Sequence, residues 1–333
     1  MKHITAALFV PHKGCPHQCV FCNQKSISGE SRSISADDVH KAVKDAEKNH
    51  LVENAEIAFF GGSFTAIPRD YMLELLTAAR EHIDGVKFSG IRISTRPDAI
   101  DDEICQILKE NKVRAVELGA QSMDDNVLLL NRRGHTAADV ENAMTLLKKY
   151  GFETGLQMMT GLYGSDADES IRTAEKIISL SPDTVRIYPT VVIENTPLEK
   201  LYRSGEYKAQ TVDEAADICA KLILMFEKAS IKIIRVGLHS GGSVDDGYVA
   251  GAFHPAFKEI CESRIYLDKI KKQLHDKTGS FTVYVPKGAT SQAVGQKKEN
   301  LLKLSSVGID CKIKELDGLS KYQVLVKDIE YDT

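Results

Sequence analysis

The sequence predicts an α/β protein: a partial (β/α)6 TIM-like barrel of parallel strands, followed by a small C-terminal α+β unit. Three observations predict this class. Short apolar segments alternate with amphipathic segments over most of the 333 residues, the amphipathic segments have helical spacing, and the pattern changes near residue 276. Repeated strand–helix alternation indicates a parallel sheet, either open or curled into a barrel.

The strands and helices follow from the spacing of apolar residues. Seven short apolar runs have the length of buried strands, and they cover residues 4–10, 55–61, 90–95, 115–120, 154–160, 184–190 and 231–237. Between them, apolar residues recur at spacings of three and four, and several segments begin with Asp, Ser or Thr, which cap helices. These predicted helices cover residues 36–50, 69–83, 101–111, 136–150, 167–180 and 212–229.

The C-terminal part of the chain has a different pattern. The segment HDKTGS (275–280) is typical of a linker. It precedes a predicted strand, a helix and two further strands, over residues 281–286, 289–306, 311–316 and 321–329. This β-α-β-β unit is too small and too different to be another barrel repeat. We therefore predict two domains, 1–275 and 276–333.

The segment VPKGATSQAVGQKKENLLKL (285–304) of the predicted second domain resembles the KH modules of bacterial transcription factors. A KH module clamps RNA with a G-x-x-G loop. Here the corresponding loop is Gly295-Gln296-Lys297-Lys298, so a lysine replaces the second glycine. The resemblance implies either a relic without RNA binding or a site where two lysines hold phosphate.

Composition and charge exclude a global attraction to nucleic acid or to membranes. The formal net charge is −4 and charged residues make up 27% of the chain, so any such contact requires a local patch. Apolar runs are too short for a bilayer span, and the N-terminus lacks the cleavage site of a signal peptide. Seven cysteines are an odd number, and four are isolated. This favours free thiols in a reducing cytoplasm, with no membrane partner.

The segment GCPHQCVFCNQ contains three cysteines, Cys15, Cys19 and Cys22, in the spacing C-x3-C-x2-C directly after the first predicted strand. Loops at the carboxyl ends of parallel strands hold active sites. Three thiolates suit a [4Fe–4S] cluster with one iron open to an outside ligand. With His12 or His17 as a fourth ligand they also suit a structural zinc site, and unligated thiols are a third alternative.

Further segments, in chain order with the cysteines, resemble the radical S-adenosylmethionine (SAM) enzymes. The sequence is most similar to the branch that contains the elongator catalytic subunit, and the resemblance covers about residues 4 to 255. The segments are GGSFT (61–65), STRPD (94–98), ELGAQSMDDNVLLLNRRGHT (117–136) and RIYPTVVIENTPLEKLYRSGEY (186–207).

This resemblance implies a role for each matching residue. The three cysteines would ligate the cluster, and SAM would occupy the open iron and be cleaved to a 5′-deoxyadenosyl radical. In the related coproporphyrinogen oxidase branch, a Gln and an Arg twelve residues apart contact SAM, and Gln121 and Arg133 have that spacing. Ser94 departs from the glutamate of many relatives. The residues implied in SAM binding are Gly61, Gly62, Ser63, Ser94, Gln121 and Arg133.

The substrate is predicted from the loops after the last strands. The glycine-rich segment 237–257 contains Asp245, Asp246 and His254, and Tyr188 lies at another strand end. Paired acids suit an amine or a guanine-type edge, although a solvated loop without function has the same composition. We predict these four residues as catalytic, acting on a small nucleobase-type substrate.

The most specific expectation is a lyase that cleaves queuine to an aminomethyl-deazaguanine precursor, since the chain leaves no room for an acetyltransferase domain. The resemblance implies an electron donor such as flavodoxin or ferredoxin. One alternative is a radical SAM enzyme that modifies tRNA. Another, of a different class, is a zinc-dependent RNA-binding module.

Overall fold

The computed structural model describes residues 4–10, 15, 18–22, 33–49, 52–238, 247–275 and 277–328. Within these residues, seven parallel strands form one sheet in the order β1-β2-β3-β4-β5-β6-β8. The strands of this sheet are β1 Thr5–Val10, β2 Ala55–Gly61, β3 Phe88–Thr95, β4 Val113–Gln121, β5 Glu153–Thr160, β6 Thr184–Pro189 and β8 Lys232–Val236. A short antiparallel pair is formed by β7 Val191–Ile193 and β9 Tyr248–Gly251.

Helices connect the strands on one face of the sheet. Their N-termini are capped as the sequence predicts: the side chains of Asp101, Asp166 and Thr211, for example, accept hydrogen bonds from backbone N–H groups in the first turn. The helices are α1 Ala36–Asn49, α2 Arg69–Arg80, α3 Asp102–Glu110, α4 Asp125–Leu130, α5 Ala137–Lys149, α6 Ala167–Ser179, α7 Pro197–Ser204, α8 Val212–Lys228 and α9 Phe257–Leu274.

The two faces of the sheet differ in polarity because side chains alternate along a strand. On β3, Ile91 and Ile93 are fully buried in a core that also contains Leu76 and Leu108 of the surrounding helices. Arg92, between them, therefore projects from the opposite face. That inner face lines the lumen of the barrel, which is where polar chemistry can take place.

The sheet is open, since β1 and β8 are its two end strands. Seven parallel strands that curl without closing form a half-barrel, which confirms the predicted fold class. All seven predicted strands are present, with ends that differ by at most two residues. No helix among the described residues has both the length and the apolar character needed to cross a membrane.

A second sheet follows α9. Its strands are β10 Gly279–Val285, β11 Ile309–Glu315 and β12 Leu325–Asp328, in the order β11-β10-β12. β10 is parallel to β11 and antiparallel to β12, as a β-α-β-β order allows. Phe281 and Val283 of this sheet share a continuous core with Ile270 of α9. The division into domains at residue 276 stays a prediction.

The prediction of a single helix over residues 289–306 is wrong. The structure has α10 Thr290–Val294, a 3-10 turn at Gln296–Lys298 and α11 Glu299–Ser305. Gly295, Lys297 and Lys298 have φ angles of 78°, 48° and 63°, and such a left-handed backbone interrupts a right-handed helix. Asn300 secures the break, since its Nδ2 donates to the Ala293 carbonyl oxygen at 3.0 Å.

Candidate active site

The three predicted cluster cysteines lie together at the carboxyl end of β1. The Sγ of Cys15 is 4.0 Å from the Oγ of Ser63, and the Sγ of Cys19 is 3.2 Å from Nη1 of Arg133. Burial, and then the neighbouring thiols of Cys19 and Cys15, raise the pKa of Cys22 to about 12. Thiols that influence one another in this way form one group, and binding a metal centre would displace their protons.

Backbone contacts from distant elements hold the cysteine turn. The N–H of Val20 donates to the Asn131 carbonyl oxygen at 3.2 Å, and the Val20 carbonyl oxygen accepts from the N–H of Leu198 at 2.8 Å. Asn131 is itself fixed, because its Nδ2 donates to the carbonyl oxygens of Val127 and Tyr163 at 2.8 and 2.9 Å. The turn is therefore positioned by α4 and α7 and not by its own sequence alone.

The double glycine after β2 is required by a close backbone approach. Gly61 has a φ of 116°, and a Cβ at this position would be 2.5 Å from the Val10 carbonyl oxygen and 2.9 Å from the Phe9 ring. The N–H of Gly62 donates to the same Val10 oxygen at 3.4 Å. Only glycine can occupy position 61 without moving β1.

Hydroxyl and guanidinium groups connect the second and third motifs. The Oγ1 atoms of Thr65 and Thr95 are 2.7 Å apart, and Thr65 Oγ1 donates to the Ala99 carbonyl oxygen at 2.7 Å. Arg96 pairs with Asp98 and donates from Nη2 to the Arg133 carbonyl oxygen at 2.8 Å. The GGSFT and STRPD segments thus form one scaffold that also supports the backbone at Arg133.

Gln121 and Arg133 lie side by side over Gly119. Arg133 Nη2 donates to the Gly119 carbonyl oxygen at 2.7 Å. A Cβ at Gly119 would be 2.8 Å from Gln121 Nε2 and 3.4 Å from Arg133 Nη2. The φ of Gln121 is 66°, which is unusual for a residue other than glycine. Backbone strain of this kind is concentrated where a side chain must point in a required direction.

These groups fit the cofactors that the sequence resemblance implies. The Nε of Arg133 is buried and, within the described residues, has no hydrogen-bond partner, so it can still donate to a carboxylate such as that of SAM. No three His, Cys, Asp or Glu side chains in the described part converge on a single metal ion. A cubane cluster does not require this, since each of its thiolates binds a different iron.

Ser94 belongs to a hydrogen-bonded chain across the lumen. Its Oγ accepts from Nε2 of Gln157 at 3.3 Å, and the same Nε2 donates to Oε2 of Glu117 at 3.0 Å. Gln157 is therefore held in one orientation beside Ser94. This contact places an amide group beside the Ser94 hydroxyl.

Below this level, four charged side chains close the lumen, and we call them the lumen floor: Glu56, Arg92, Glu117 and Arg186. Arg186 donates to both carboxylate oxygens of Glu117 at 2.6 and 2.9 Å, and Arg92 donates to both oxygens of Glu56 at 2.8 and 3.0 Å. Arg92 also contacts Glu117 at 3.5 Å. The Arg186 guanidinium lies 5.3 Å from the centre of the Phe60 ring across the lumen.

The sequence interpretation missed the lumen floor. Its signal is a polar residue at every second position of otherwise apolar strands, as in I-R-I-S-T of β3 and V-R-I-Y of β6. Such alternation marks a sheet with one polar face. Which carboxylate pairs with which guanidinium depends on strand register, and the sequence does not provide this.

Beside the floor and towards the carboxyl ends of the strands lies a group that we call the lumen rim: Ser94, Gln121, Arg133, Tyr188 and Arg235. Burial raises the pKa of Tyr188, so that its phenol stays protonated. Arg235 donates from Nε and Nη2 to the carbonyl oxygens of Gly237 and Leu238, both at 2.9 Å. The structure thus places Tyr188 in the lumen, as the prediction of a substrate contact requires.

The other predicted substrate residues are placed differently. His254 Nδ1 accepts from the N–H of Ala256 at 3.0 Å, a contact at the start of α9. No hydrogen bond or ion pair in the described part joins His254 to the cysteines or the rim. Asp245 and Asp246 lie outside the described residues. The catalytic roles of these three residues remain predictions.

Two families match the chain. The radical SAM superfamily matches residues 9–177, about half of the 333 residues, and the radical SAM C-terminal domain matches residues 182–267. The first match includes the cysteine turn and both members of the Gln121–Arg133 pair. The second begins near β6 and ends within α9.

Curated relatives match over part of their length. An uncharacterized protein of Methanocaldococcus jannaschii is 30% identical over 213 residues, covering 60% of this chain and 65% of that protein. A tRNA uridine(34) acetyltransferase of the same organism is 29% identical over 257 residues, covering 65% and 47%. Human Elongator complex protein 3 is 26% identical over 269 residues, covering 67% and 49%. The chain spans about half to two-thirds of the length of these relatives.

Solved structures share the fold. Archaeal Elp3 of Methanocaldococcus infernus with an N-terminal deletion has a TM-score of 0.66 at 22% identity, covering 82% of this chain and 63% of that chain. Streptococcus suis SuiB bound to S-adenosylmethionine has a TM-score of 0.52 at 14% identity, covering 71% and 51%. The shared architecture is the half-barrel with helices on its outer face.

Proposed function

The chain belongs to the radical SAM superfamily, and from this premise we propose that it is an enzyme whose active site, in the lumen, abstracts hydrogen from a small nucleobase-type substrate. Enzymes of this family bind a [4Fe–4S] cluster and SAM. When bound, these cofactors supply the reductive cleavage of SAM to a 5′-deoxyadenosyl radical. The contribution of the protein is to position the reactants and to exclude water.

The unpaired Nε of Arg133 beside the Cys19 thiol is the observation that best supports this proposal. A cation next to three thiols suits a ligand that joins a metal centre through a carboxylate. In the proposed arrangement Cys15, Cys19 and Cys22 hold the cluster, and Arg133 pairs with the SAM carboxylate. Gly61, Gly62, Ser63, Ser94 and Gln121 complete the SAM contacts.

The lumen floor supports the same function by closing the barrel below the reacting groups. Glu117 is 1% exposed and Glu56 is 2% exposed, although both are charged side chains. Their bidentate contacts with arginine satisfy these buried carboxylates. We propose that these paired side chains limit the access of water from the lower side of the lumen, which protects a reactive carbon radical.

Within this function, the most specific proposal is a lyase acting on queuine, which releases the cyclopentene-diol part and leaves an aminomethyl-deazaguanine. A lumen with amide and phenol groups from Gln157 and Tyr188 can hydrogen-bond a purine-like base. Asp245 and Asp246 are proposed to contact its amine or guanine-type edge. The proposed electron donor is a flavodoxin or ferredoxin, and the proposed location is the cytoplasm.

A second candidate is tRNA modification. It is favoured by the curated relatives named tRNA uridine(34) acetyltransferases, which are longer than this chain. The left-handed Lys297 and Lys298 offer a place where phosphate could be held. Loss of tRNA binding on replacing both lysines by alanine, with a steep salt dependence in the native protein, would support this candidate.

The proposal is tested by anaerobic reconstitution with iron and sulfide. We expect about four irons per chain, cleavage of SAM by a chemical reductant, and product formation from a panel of deazapurines and tRNAs, read by mass spectrometry. Cys19→Ala should lose both the iron and the SAM cleavage. Cys311→Ala, which removes a half-buried thiol of the second sheet, should lose neither.

Three outcomes would overturn the proposal. A colourless protein with one zinc would favour the zinc-dependent RNA-binding module. Unchanged iron in Cys19→Ala would refute the ligand assignment. Iron and SAM cleavage without turnover of any deazapurine would leave the family chemistry in place and exclude the proposed substrate.

A further inference from the structure

Arg235 lies on β8, the last strand of the sheet, beside Arg186 of the lumen floor. It pairs in register with Arg186 across β6 and β8, and register partners on neighbouring parallel strands project from the same face. The following residue, Val236, is 6% exposed within the core on the helix-covered side. Arg235 therefore lines the lumen, near the carboxyl ends of the strands where substrates bind.

The carboxylates of the floor are already used by other arginines. Glu117 receives two hydrogen bonds from Arg186 and one from Gln157, and it also contacts Arg92. Glu56 is occupied by two donors of Arg92. None of these contacts reaches Arg235, although it lies on the same face.

Arg235 has no carboxylate partner among the described residues. Its guanidinium donates to the carbonyl oxygens of Gly237 and Leu238, both at 2.9 Å, which are neutral acceptors just beyond its own strand. The group is half-buried, and burial together with the nearby Arg186 lowers its pKa from the usual value. An arginine stays charged in proteins, so among the described residues this position holds a cation that no carboxylate neutralises.

Tyr188 completes the arrangement. It lies two residues beyond Arg186 on β6, on the same face and one step nearer the strand ends. Burial raises the pKa of its phenol, and the phenol interacts with the guanidinium groups of both Arg186 and Arg235. A guanidinium and a phenol O–H on adjacent strands are both hydrogen-bond donors. The charge of the guanidinium disfavours a cationic ligand at this position.

We propose that Arg235 and Tyr188 form a subsite for an anionic oxygen group of the substrate, a phosphate or a carboxylate. Guanidinium forks match both groups in geometry and charge. The inference rests on the proposed radical SAM function and replaces its most specific substrate: the lumen accepts the nucleobase in a form that carries such a group, for example a nucleoside monophosphate, in place of the free base queuine. If the anionic group belongs to the base and not to a phosphate, it would be a carboxylate on the ring.

The test is calorimetric titration of the reconstituted holoenzyme with SAM present. The probes are guanosine, guanosine 5′-monophosphate and orotate, which carry no anion, a phosphate and a ring carboxylate. We expect the monophosphate or orotate to bind at least tenfold more tightly than guanosine, as a charge-assisted pair in a partly desolvated site provides. Which of the two binds more tightly identifies the source of the anion.

Variants assign this preference to the subsite. Arg235→Gln should reduce the preference to less than threefold, and Arg235→Lys should retain part of it. Arg114→Gln is the matched control, because Arg114 is half-exposed at the other end of the strands. Its preference should equal that of the native protein. Circular dichroism shows whether each variant is folded. If Arg235→Gln does not fold, the partial preference of Arg235→Lys provides the test.

Equal binding of guanosine and both anionic probes by the native protein would overturn the inference, as would an unchanged preference in Arg235→Gln. Either result is compatible with full iron content, SAM cleavage and turnover of an uncharged base, so the proposed function would stand. A native protein that prefers anionic probes but neither binds iron nor cleaves SAM would instead refute the proposed function.

Discussion

The lumen floor and the lumen rim share the same strands, yet their polar groups are paired differently. On the floor, both oxygens of Glu117 and of Glu56 accept hydrogen bonds from arginine. On the rim, Arg133 has a buried N–H without a partner in the described part of the chain, and Arg235 contacts only backbone carbonyls there.

This difference separates structure from function within one sheet face. A buried charge whose partners are all in place belongs to the folded structure, and removing one partner strongly lowers the free energy of unfolding. A buried donor without a partner is a cost that a bound ligand can offset. The pairing state of a polar group therefore indicates whether its mutation will affect folding or binding, and three predictions test this.

The largest effect is expected on the floor. Glu117 is only 1% exposed, and Glu117→Gln would leave Arg186 with a neutral partner at this buried position. The free energy of unfolding should fall by about 3–5 kcal/mol, the usual loss for a broken buried ion pair. Urea denaturation of the metal-free protein, followed by circular dichroism, measures this change.

Glu103→Gln is the control for that experiment. Glu103 forms an ion pair with Arg69 at 2.9 Å, but its side chain is 71% exposed, so we expect a loss below about 1 kcal/mol. Similar losses in both variants would mean that burial of the floor does not matter. The contrast between floor and rim would then have no energetic basis.

An intermediate effect is expected at His135, which lies beneath the rim. Its ring is 5% exposed, Nε2 contacts the Ala120 carbonyl oxygen at 3.2 Å, and Nδ1 has no partner among the described residues. Burial, and then repulsion by Arg133, lower its pKa from 6.5 to about 4. The folded protein therefore resists a proton that the unfolded chain accepts.

Stability should consequently fall as the pH decreases from 6.5 towards 4, because the unfolded state binds more protons over that range. The contribution of this group is at most about 3 kcal/mol, following the size of the pKa shift. Urea titrations at pH 7 and pH 4.5 should show a smaller acid loss in His135→Gln than in the native protein. His275→Gln, at an exposed position, should show the native loss; an identical loss in all three proteins would contradict the prediction.

The smallest change in free energy is expected on the rim, and in binding only. Arg133→Gln should weaken SAM binding by 10- to 100-fold, equivalent to about 1.4–2.7 kcal/mol. Its free energy of unfolding should change by less than about 1 kcal/mol. Equilibrium dialysis with SAM on reconstituted protein measures the first quantity, and Arg132→Gln at the exposed neighbouring position is the control. If Arg133→Gln loses stability and keeps its SAM affinity, Arg133 has a structural role like that of the floor residues.

The sequence was sufficient to predict the barrel and the meeting of its motifs. The carboxyl ends of parallel strands share one edge, so Cys15, Ser63 and Arg133, far apart in the chain, could be expected near one another. Hydrophobic runs located all seven strands because each buries one face against helices. The proximity of Gln121 to Arg133 follows from the same logic, since one ends β4 and the other lies just beyond α4.

Two features could not be predicted in this way. The floor depends on register: Glu117 pairs with Arg186 only because β4, β5 and β6 align as they do. The break at Gly295 depends on tertiary contacts, since a Cβ there would be 2.9 Å from Ser263 Oγ of α9. Helical spacing within residues 289–306 contains no information about a neighbouring helix that approaches so closely.

The backbone of Val20 has a consequence for the order of assembly. It is held by Asn131 and Leu198, which the ribosome adds long after the three cysteines have left the exit tunnel. Domains form as units once their chain is available, so a nascent chain that ends before residue 198 lacks the supports that orient its thiols. We therefore expect iron delivery only to a polypeptide that has already been synthesised and folded through α7.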